Sequence, residues 1–343
     1  MNKLASIERI KEVEKHPNAD LLDIVTVIGY KSIVKRDQYK INDLIIFIQP
    51  DTLLPDVEWA KIYKSKSSRV KAIRLRNAWS MGIVESLSIL NGLVPMKSVS
   101  DLMPDLLYPI VYEGDEVSNI LKITKYEPPI PNDLNAKGNL PLGLHKTDEE
   151  RYQNLDIPFG EIVDVTLKID GSSLSVFCKK LDMVYDYITG ITSRSLELKS
   201  ECVNKYTTVV KENNIIEKLK SYCIEHNVNL SLRGEMYGNG IQAFSNNPHS
   251  KKPLGFALFN VFNLDTFQYE GIESPHYYEK VASELNIETV PIIEKSVVLT
   301  PELIKKYDEG ITTINGIPFE GVVVKMNGGR SFKIINKDYD SKK

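Results

Sequence analysis

The chain has 343 residues, of which 42% are hydrophobic, and a formal net charge of −3 at pH 7. This length and hydrophobic content predict two globular domains, and the nearly balanced charge excludes a basic field over the whole molecule, so a nucleic-acid site has to be local. The three cysteines and five histidines are not spaced as zinc ligands, which argues against structural zinc, and the odd number of cysteines suits a reducing compartment.

The apolar runs are only long enough for strands, as in LIIFI at residues 44–48, and are far shorter than a membrane span. The first residues mix basic and acidic side chains and lack the apolar core of a secretion signal. We therefore expect no transmembrane helix, no membrane partner, and a location in the cytoplasm or the nucleus.

Short strands separated by turns are predicted from residue 4 to residue 125. Their sequences are LLDIVTVIG (21–29), KSIVK (31–35), LIIFIQPDTLLP (44–55), RVKAIRLR (69–76), MGIVESLSIL (81–90) and DEVSNIL (115–121). This pattern is typical of a small barrel, and we predict an all-β domain over residues 1–125.

A basic segment lies inside this first domain. Residues 61–76, KIYKSKSSRVKAIRLR, contain seven basic side chains and no acidic one, with Tyr63 among them. Such a face can follow a phosphate backbone, which makes four residues candidates for nucleic-acid binding: Lys64, Lys66, Arg69 and Lys71. The alternative is a solvated charge run that protects a strand edge.

Residues 126–150 contain four prolines and little periodicity, and we predict that they form a linker. Beyond it, predicted strands alternate with helical patterns, of which the clearest is residues 201–225. The strands are EIVDVTLKI (161–169), LSLRGEMYG (230–238), FALFNVFNL (256–264), EGVVVKM (320–326) and SFKII (331–335). Residues 151–343 are therefore predicted to form an α+β domain.

The stretch VTLKIDGSSLSVF at residues 165–177 alternates apolar and polar side chains but includes Lys168, Asp170 and Gly171. Residues two apart in a strand share a face, so Lys168 and Asp170 point the same way, beside a glycine that lets a ligand approach the backbone. Taken alone, the pair favours the simpler interpretation, a surface salt bridge at a turn.

Five further segments follow in order: SRS (193–195), RGEMYGNGIQ (233–242), FALFNVFN (256–263), EGVVVK (320–325) and SFKIINK (331–337). Together with Lys168-Ile169-Asp170-Gly171, this series resembles the covalent nucleotidyltransferase superfamily, which comprises ATP-dependent nucleic-acid ligases and mRNA-capping enzymes. The resemblance implies that Lys168 attacks the α-phosphorus of ATP and forms a lysyl-nucleotide.

The attack needs a neutral amine, yet a lysine with a pKa of about 10.4 is neutral in only ~0.04% of molecules at pH 7. Burial or a nearby cation can lower that pKa. The resemblance implies a hydrated divalent ion, Mg²⁺ or Mn²⁺, held by the carboxylates of Asp170, Glu235 and Glu320.

The resemblance implies a role for each remaining position. Glu235 contacts ribose or a metal-bound water, Phe259 stacks on adenine, and Arg194 contacts ribose or the phosphate end of RNA. Lys325 and Lys333 bind the nucleotide, with Lys333 on the α-phosphate. The alternatives without a ligand are a solvated carboxylate at a strand edge for Glu235, a core position for Phe259, and a surface position for Arg194.

Two positions depart from the family pattern. Many relatives carry a second lysine two residues after Lys333, where this chain has Ile335, so Lys337 is the candidate substitute. RNA ligases often place an acidic residue before the nucleophile, where this chain has Leu167. We therefore expect a backbone carbonyl or Thr166 to contact N6 of adenine instead.

The end of the chain and its linker indicate the branch of the superfamily. Ten residues follow Lys333, so we do not expect the C-terminal OB domain of capping enzymes and ATP-dependent DNA ligases. HKTDEERYQN at 145–154 resembles an element of RNA ligases and makes Arg151 a candidate contact to phosphates. The same string also predicts a helix start with Thr147 as N-cap and Glu150 completing a capping box.

HPNADLLDIVTVIGYKSIV (16–34) and IQPDTLLP (48–55) resemble the N-terminal OB domain of the fifth class of RNA ligases. We therefore expect an α+β protein in which an all-β OB barrel precedes an antiparallel-sheet nucleotidyltransferase domain. The expected activity is ATP-dependent RNA ligation at a nicked duplex with 3′-OH and 5′-phosphate ends, by a monomer. The alternatives are a noncatalytic RNA-end-binding protein with a degenerate pocket, and a DNA nick ligase.

Overall fold

The computed structural model describes residues 3–63, 68–100, 103–126, 136–181 and 186–341. The chain divides into two compact units, Met1–Pro129 and Ile130–Lys343. Among the described residues, no helix is both long enough and apolar enough to cross a membrane.

The first unit is built from short strands and two 3₁₀ turns, Glu58–Tyr63 and Leu87–Leu90. Its strands are β1 Ala5–Arg9, β2 Glu12–Lys15, β3 Leu22–Val27, β4 Tyr30–Lys35, β5 Leu44–Ile48, β6 Thr52–Leu53, β7 Ile73–Leu75, β8 Ala78–Ser80, β9 Ile83–Glu85, β10 Met96–Ser100, β11 Met103–Pro109 and β12 Thr124–Lys125. They pair antiparallel as β1-β5-β9, β2-β3-β4, β10-β11, β12-β6 and β7-β8.

In β3 and β4 every second side chain is buried, as expected for strands with one face on the core. The sequences themselves do not alternate strictly, since the polar residues Asp23 and Ser32 occupy buried positions. The prediction of a strand at DEVSNIL was wrong. Residues 115–121 form turns with a single bridge between Glu116 and Ser6, and the backbone N–H of Leu121 donates to the carbonyl of Val117. Val117 and Leu121 are both buried, so their apolar side chains mark a helical-type turn that packs on the core.

The second unit contains two larger sheets and five α-helices among its described residues. Its strands are β13 Ala136–Asn139, β14 Glu150–Arg151, β15 Ile162–Lys168, β16 Ser172–Lys180, β17 Tyr187–Ser193, β18 Leu196–Leu198, β19 Leu230–Tyr237, β20 Gly255–Asn263, β21 Gln268–Tyr269, β22 Ile292–Val298, β23 Thr313–Ile314, β24 Ile317–Pro318, β25 Gly321–Lys325 and β26 Ser331–Ile335. Its helices are α1 Lys205–Glu212, α2 Ile215–His226, α3 Tyr278–Leu285, α4 Pro301–Lys305 and α5 Lys337–Ser341.

The order of the seven-stranded sheet is β13-β18-β17-β16-β19-β20-β21, and that of the five-stranded sheet is β14-β26-β25-β15-β22. Pairing is antiparallel except between β14 and β26. Helices α1, α2 and α3 cover one face of the seven-stranded sheet and share its hydrophobic core, whereas α4 packs with the five-stranded sheet. This architecture confirms the prediction of an α+β fold with antiparallel sheets.

Two local predictions in this unit were wrong. The helical pattern of residues 201–225 is split into α1 and α2, because Asn214 adopts a left-handed conformation with φ 53°. No helix starts at Thr147 either, since its hydroxyl hydrogen-bonds with the hydroxyl of Ser173 on β16. Glu150 and Arg151 form strand β14, and a 3₁₀ turn follows.

Candidate functional site

The nucleophile motif predicted from the sequence lies where the chain passes from one sheet of the second unit to the other. Lys168 is the last residue of β15 in the five-stranded sheet, and after Gly171 the chain enters β16 of the seven-stranded sheet. Lys168 therefore lies at the end of a strand of the five-stranded sheet, close to the first strand residue of the seven-stranded sheet.

Strand register determines which side chains accompany Lys168. In the pairing of β15 with β25, Thr166 lies opposite Val323 and Lys168 opposite Gly321. In the pairing of β25 with β26, Val323 lies opposite Lys333. Directly opposite residues share a face of a sheet, so Thr166, Lys168 and Lys333 lie on one face.

The second wall comes from β19 and β20, where a β-bulge interrupts the register. Arg233 lies opposite Asn260 and Gly234 opposite Leu258, which leaves Phe259 as the extra residue. Bulges re-aim side chains, and here Phe259 lines a cavity whereas Phe256 and Phe262 are buried in the cores. A core role therefore does not explain all three phenylalanines.

Side chains from both sheets and from the segment before β14 line this cavity, called here the inter-sheet cavity. Its lining residues are Thr147, Asp148, Glu149, Thr166, Leu167, Lys168, Ile169, Glu235, Phe259, Val290, Val323, Lys325 and Lys333. Five of the positions that we predicted from the sequence, Lys168, Glu235, Phe259, Lys325 and Lys333, thus surround one space.

Carboxylates crowd the amine of Lys168. Its Nζ donates to Oε2 of Glu320 at 2.7 Å. Burial lowers the pKa of Lys168, but the negative charges of Glu320, Glu235 and Asp170 together outweigh burial and raise that pKa above its usual range. The chain's own residues therefore hold the amine protonated, which is the opposite of what nucleophilic attack needs.

Glu235 shows the same excess of negative charge. Burial raises the pKa of Glu235 to about 8, with Glu320 and Asp170 adding to the rise and Lys168 opposing it. Three carboxylates against one ammonium form a hard oxygen donor set, which is the kind that Mg²⁺ and Mn²⁺ prefer. The chemistry of these three side chains is therefore suited to a divalent ion.

Gly171 is required by a close approach of the backbone. A Cβ at this position would lie 2.3 Å from the carbonyl oxygen of Met236 and 2.8 Å from Cγ of Glu235. Because no side chain fits there, the turn after Lys168 packs directly against β19 and brings Glu235 close to the lysine.

Asp170 is buried and held by two residues that the sequence analysis missed. The hydroxyl of Tyr339 donates to Oδ2 of Asp170 at 3.1 Å, and Nδ2 of Asn247 donates to its backbone carbonyl at 2.9 Å. Tyr339 is 169 residues further along the chain, so no local sequence pattern connects the two.

Lys325 is a buried lysine that lines the inter-sheet cavity. Its Nζ donates to the carbonyl of Phe259, the bulged residue, at 2.5 Å and lies 4.8 Å from the ring centroid of Tyr278. Burial lowers the pKa of Lys325 to about 8, although the nearby carboxylates of Glu149 and Asp164 oppose the shift. The bulge therefore both directs Phe259 to the cavity and supplies a carbonyl for Lys325.

The other basic candidates of this unit are placed differently. Nη2 of Arg194 donates to Asp148 at 2.7 Å, at the rim formed by the residues before β14. Arg151 is buried in β14, opposite Lys333 in the parallel pairing. Lys337 pairs with Asp308 at 2.8 Å and is absent from the lining of the inter-sheet cavity, so the structure does not bring it to the other candidates.

Leu167, where the chain departs from the family pattern, also lines the inter-sheet cavity. It packs against the hydrophobic cores of both sheets. The hydroxyl of Thr166 donates to the carbonyl of Val323 at 3.2 Å. An apolar side chain at position 167 is thus explained by packing between the two sheets.

Of the four nucleic-acid candidates in the first unit, Lys64 and Lys66 lie outside the described residues. Arg69 pairs with Asp51 at 2.5 Å and its guanidinium lies 4.3 Å from the ring centroid of Tyr126. Lys71 is half-buried. Arg69 therefore has structural partners inside its own unit.

Comparisons with known proteins show the family of the chain. A family model described as RNA ligase matches residues 161–335, just over half of the chain, and an OB-fold domain model matches residues 4–87. No curated protein sequence matches the chain significantly.

Solved structures of RNA ligase from Naegleria gruberi match nearly the whole chain. A variant with AMP and Mn is 28% identical with a TM-score of 0.79, covering 100% of this chain and 99% of the other. A variant with ATP and Mn is 28% identical with a TM-score of 0.80, covering 99% of each chain. The enzyme with PPi is 29% identical with a TM-score of 0.78, covering 99% of this chain and 98% of the other.

These matches confirm two predictions from the sequence, that the chain is an RNA ligase and that an OB-fold domain precedes its nucleotidyltransferase domain. The chain belongs to the RNA ligase family.

Proposed function

We propose that this RNA ligase uses ATP and a divalent metal ion to join a 3′-OH to a 5′-phosphate at a nick in duplex RNA. Nζ of Lys168 attacks the α-phosphorus of ATP and pyrophosphate leaves, which gives lysyl-AMP. The RNA 5′-phosphate then takes the AMP from the lysine, and the 3′-OH displaces AMP to form the phosphodiester. Positioning and charge neutralisation carry these steps.

One observation carries the proposal: the amine of Lys168 lies 2.7 Å from Glu320 at a cavity that also holds an aromatic ring and two further lysines. Phe259 is the platform for adenine, because an exposed ring face stacks on any base. Lys325 and Lys333 bind the nucleotide, and Arg151 and Arg194 contact phosphate or ribose.

Asp170, Glu235 and Glu320 would hold the metal ion. Its charge would offset the three carboxylates and the α-phosphate, and so would counter the interactions that raise the pKa of Lys168. The relatives solved with ATP and Mn and with AMP and Mn support both cofactors.

The proposed RNA partner is a nicked duplex bound by a monomer. In this proposal residues 1–125 form the OB domain, residues 126–150 the linker and residues 151–343 the catalytic domain. The basic stretch of residues 61–76 contacts the RNA backbone through Lys64, Lys66 and Lys71, with Arg69 restrained by Asp51.

The first experiment detects the covalent adduct. The protein is incubated with α-labelled ATP and Mg²⁺ and denatured, and label is expected on wild type but not on Lys168→Ala. Label on neither protein, or equal label on both, would refute the proposed nucleophile. A parallel reaction with α-labelled GTP tests whether the enzyme is instead a capping enzyme.

The second experiment follows the adduct onto nicked duplexes whose 3′-OH strand ends in ribose or in deoxyribose. We expect sealing of the ribose-ended nick, and sealing confined to the deoxyribose-ended nick would identify a DNA ligase.

Lys71→Gln is expected to weaken nick binding and reduce its salt dependence while self-adenylation is unchanged. Static light scattering of the isolated protein tests the monomer.

A further inference from the structure

The short C-terminal helix α5 is anchored to the second unit through the residue before it. Nδ2 of Asn336 donates to the carbonyls of Thr312 at 3.1 Å and Phe319 at 3.0 Å, and its Oδ1 accepts from the backbone N–H of Asp338 at 3.1 Å. Asn336 is buried. These bonds fix both the position and the start of α5.

The same anchor reaches a proposed metal ligand. The backbone N–H of Asn336 donates to the backbone carbonyl of Glu320 at 2.9 Å, one residue before β25 begins. Glu320 is the carboxylate that pairs with Lys168. The start of α5 and the backbone of Glu320 are therefore tied together.

Tyr339 extends this connection to Asp170. It is 2% exposed, and its hydroxyl donates to Oδ2 of Asp170, which is 4% exposed, at 3.1 Å. Phe244 packs against its ring edge-on, with centroids 5.1 Å apart. A buried carboxylate needs hydrogen-bond donors, and a buried tyrosine whose ring packs against Phe244 presents one in a fixed direction.

We propose that Tyr339 is a positioning residue for the adenylation site: it fixes the orientation of the Asp170 carboxylate and makes helix α5 part of the active centre. The inference rests on the proposed function, because it assigns Asp170 a role in holding the metal ion beside Lys168. Tyr339 is buried and does not line the inter-sheet cavity. Its effect on the reaction passes through Asp170.

The test is Tyr339→Phe, which keeps the ring and its packing and removes only the hydroxyl. The matched control is Tyr307→Phe, since Tyr307 is also fully buried in this unit and its hydroxyl donates to Glu294, away from the inter-sheet cavity. Lysyl-AMP formation from α-labelled ATP is measured as a rate over a series of Mn²⁺ concentrations, with the melting temperature of each protein measured beside it.

We expect Tyr339→Phe to form lysyl-AMP about tenfold more slowly at limiting Mn²⁺, which corresponds to about 1.4 kcal/mol. Its half-saturating Mn²⁺ concentration should rise, so that part of the loss is recovered at high Mn²⁺. Tyr307→Phe should show the wild-type rate and metal dependence, whatever the change in its melting temperature. Recovery at high metal is a result that a purely structural role does not produce.

Two results would overturn the inference. One is a Tyr339→Phe variant with the wild-type rate at every Mn²⁺ concentration. The other is an equal loss in Tyr339→Phe and Tyr307→Phe that follows their melting temperatures and is independent of the metal. Wild-type protein that forms no adduct at any Mn²⁺ concentration refutes the proposed function itself, and the inference with it, so the two failures are distinguishable.

Discussion

Replacing Lys325 by methionine should make stability depend on pH in a defined way. Burial lowers the pKa of Lys325 from 10.5 to about 8, and its side chain is 4% exposed, so solvent screens little of the effect. Between pH 8 and 10.5 the unfolded chain binds a proton at this lysine that the folded chain has lost. The free energy of unfolding of wild type therefore rises with pH in this window, relative to Lys325→Met.

The size of the effect follows from the shift. A displacement of about 2.5 pH units corresponds to about 3 kcal/mol in total, of which about 2 to 3 kcal/mol should appear between pH 7 and pH 10. Loss of the hydrogen bond to Phe259 in the variant adds an offset that does not depend on pH. The difference between the two proteins, rather than either value alone, isolates the lysine.

The assay is urea unfolding of both proteins at several pH values from 7 to 10, followed by the helical circular dichroism signal. This signal reports on the second unit, because the α-helices of the described residues all lie there, whereas Trp59 and Trp79 both belong to the first. A stability difference that stays constant from pH 7 to pH 10 would refute the lowered pKa of Lys325.

Three further changes test the site and its surroundings. Gly171→Ala should lower the free energy of unfolding by about 1 to 3 kcal/mol, since its Cβ overlaps the strand that carries Glu235, and it should reduce adduct formation; wild-type adduct formation would contradict the close approach. Phe259→Ala should weaken ATP binding by about 1 to 3 kcal/mol in calorimetry, as expected for a lost stacking platform. An unchanged affinity for ATP would show that the ring of Phe259 has only a packing role. Arg233→Met should raise the free energy of unfolding by about 1 to 4 kcal/mol, because Arg233 is 1% exposed and its Nε and Nη2 have no hydrogen-bond partner among the described residues; a drop in urea unfolding experiments would show that the guanidinium is stabilised in place.

The strands around the inter-sheet cavity could be predicted because their sequences either alternate or form short apolar runs, and turn residues bound them. VTLKIDGSSLSVF gave β15, the turn and the start of β16, and EGVVVK gave β25. The grouping of Lys168, Glu235 and Lys333 followed from the family resemblance rather than from periodicity. What no pattern indicated was the β-bulge at Phe259, which depends on how β19 and β20 pair.

Three of the failures share a cause, because tertiary contacts decided them. Thr147 matches a helix cap locally, but its hydroxyl bonds to Ser173, 26 residues away. Lys337 follows Lys333 closely in sequence, yet β26 ends between them and the start of α5 turns its amine toward Asp308. Tyr339 was missed because its partner Asp170 is distant along the chain.

Leu167 has a further consequence for how the second unit folds. Its side chain packs against the hydrophobic cores of both sheets, and three residues separate β15 from β16. The connection between the two sheets is short, and the side chain of Leu167 belongs to both cores. If one sheet unfolds, the other therefore loses part of its native packing. The second unit should therefore unfold in a single cooperative transition, with the nucleotide-binding residues of both sheets lost together.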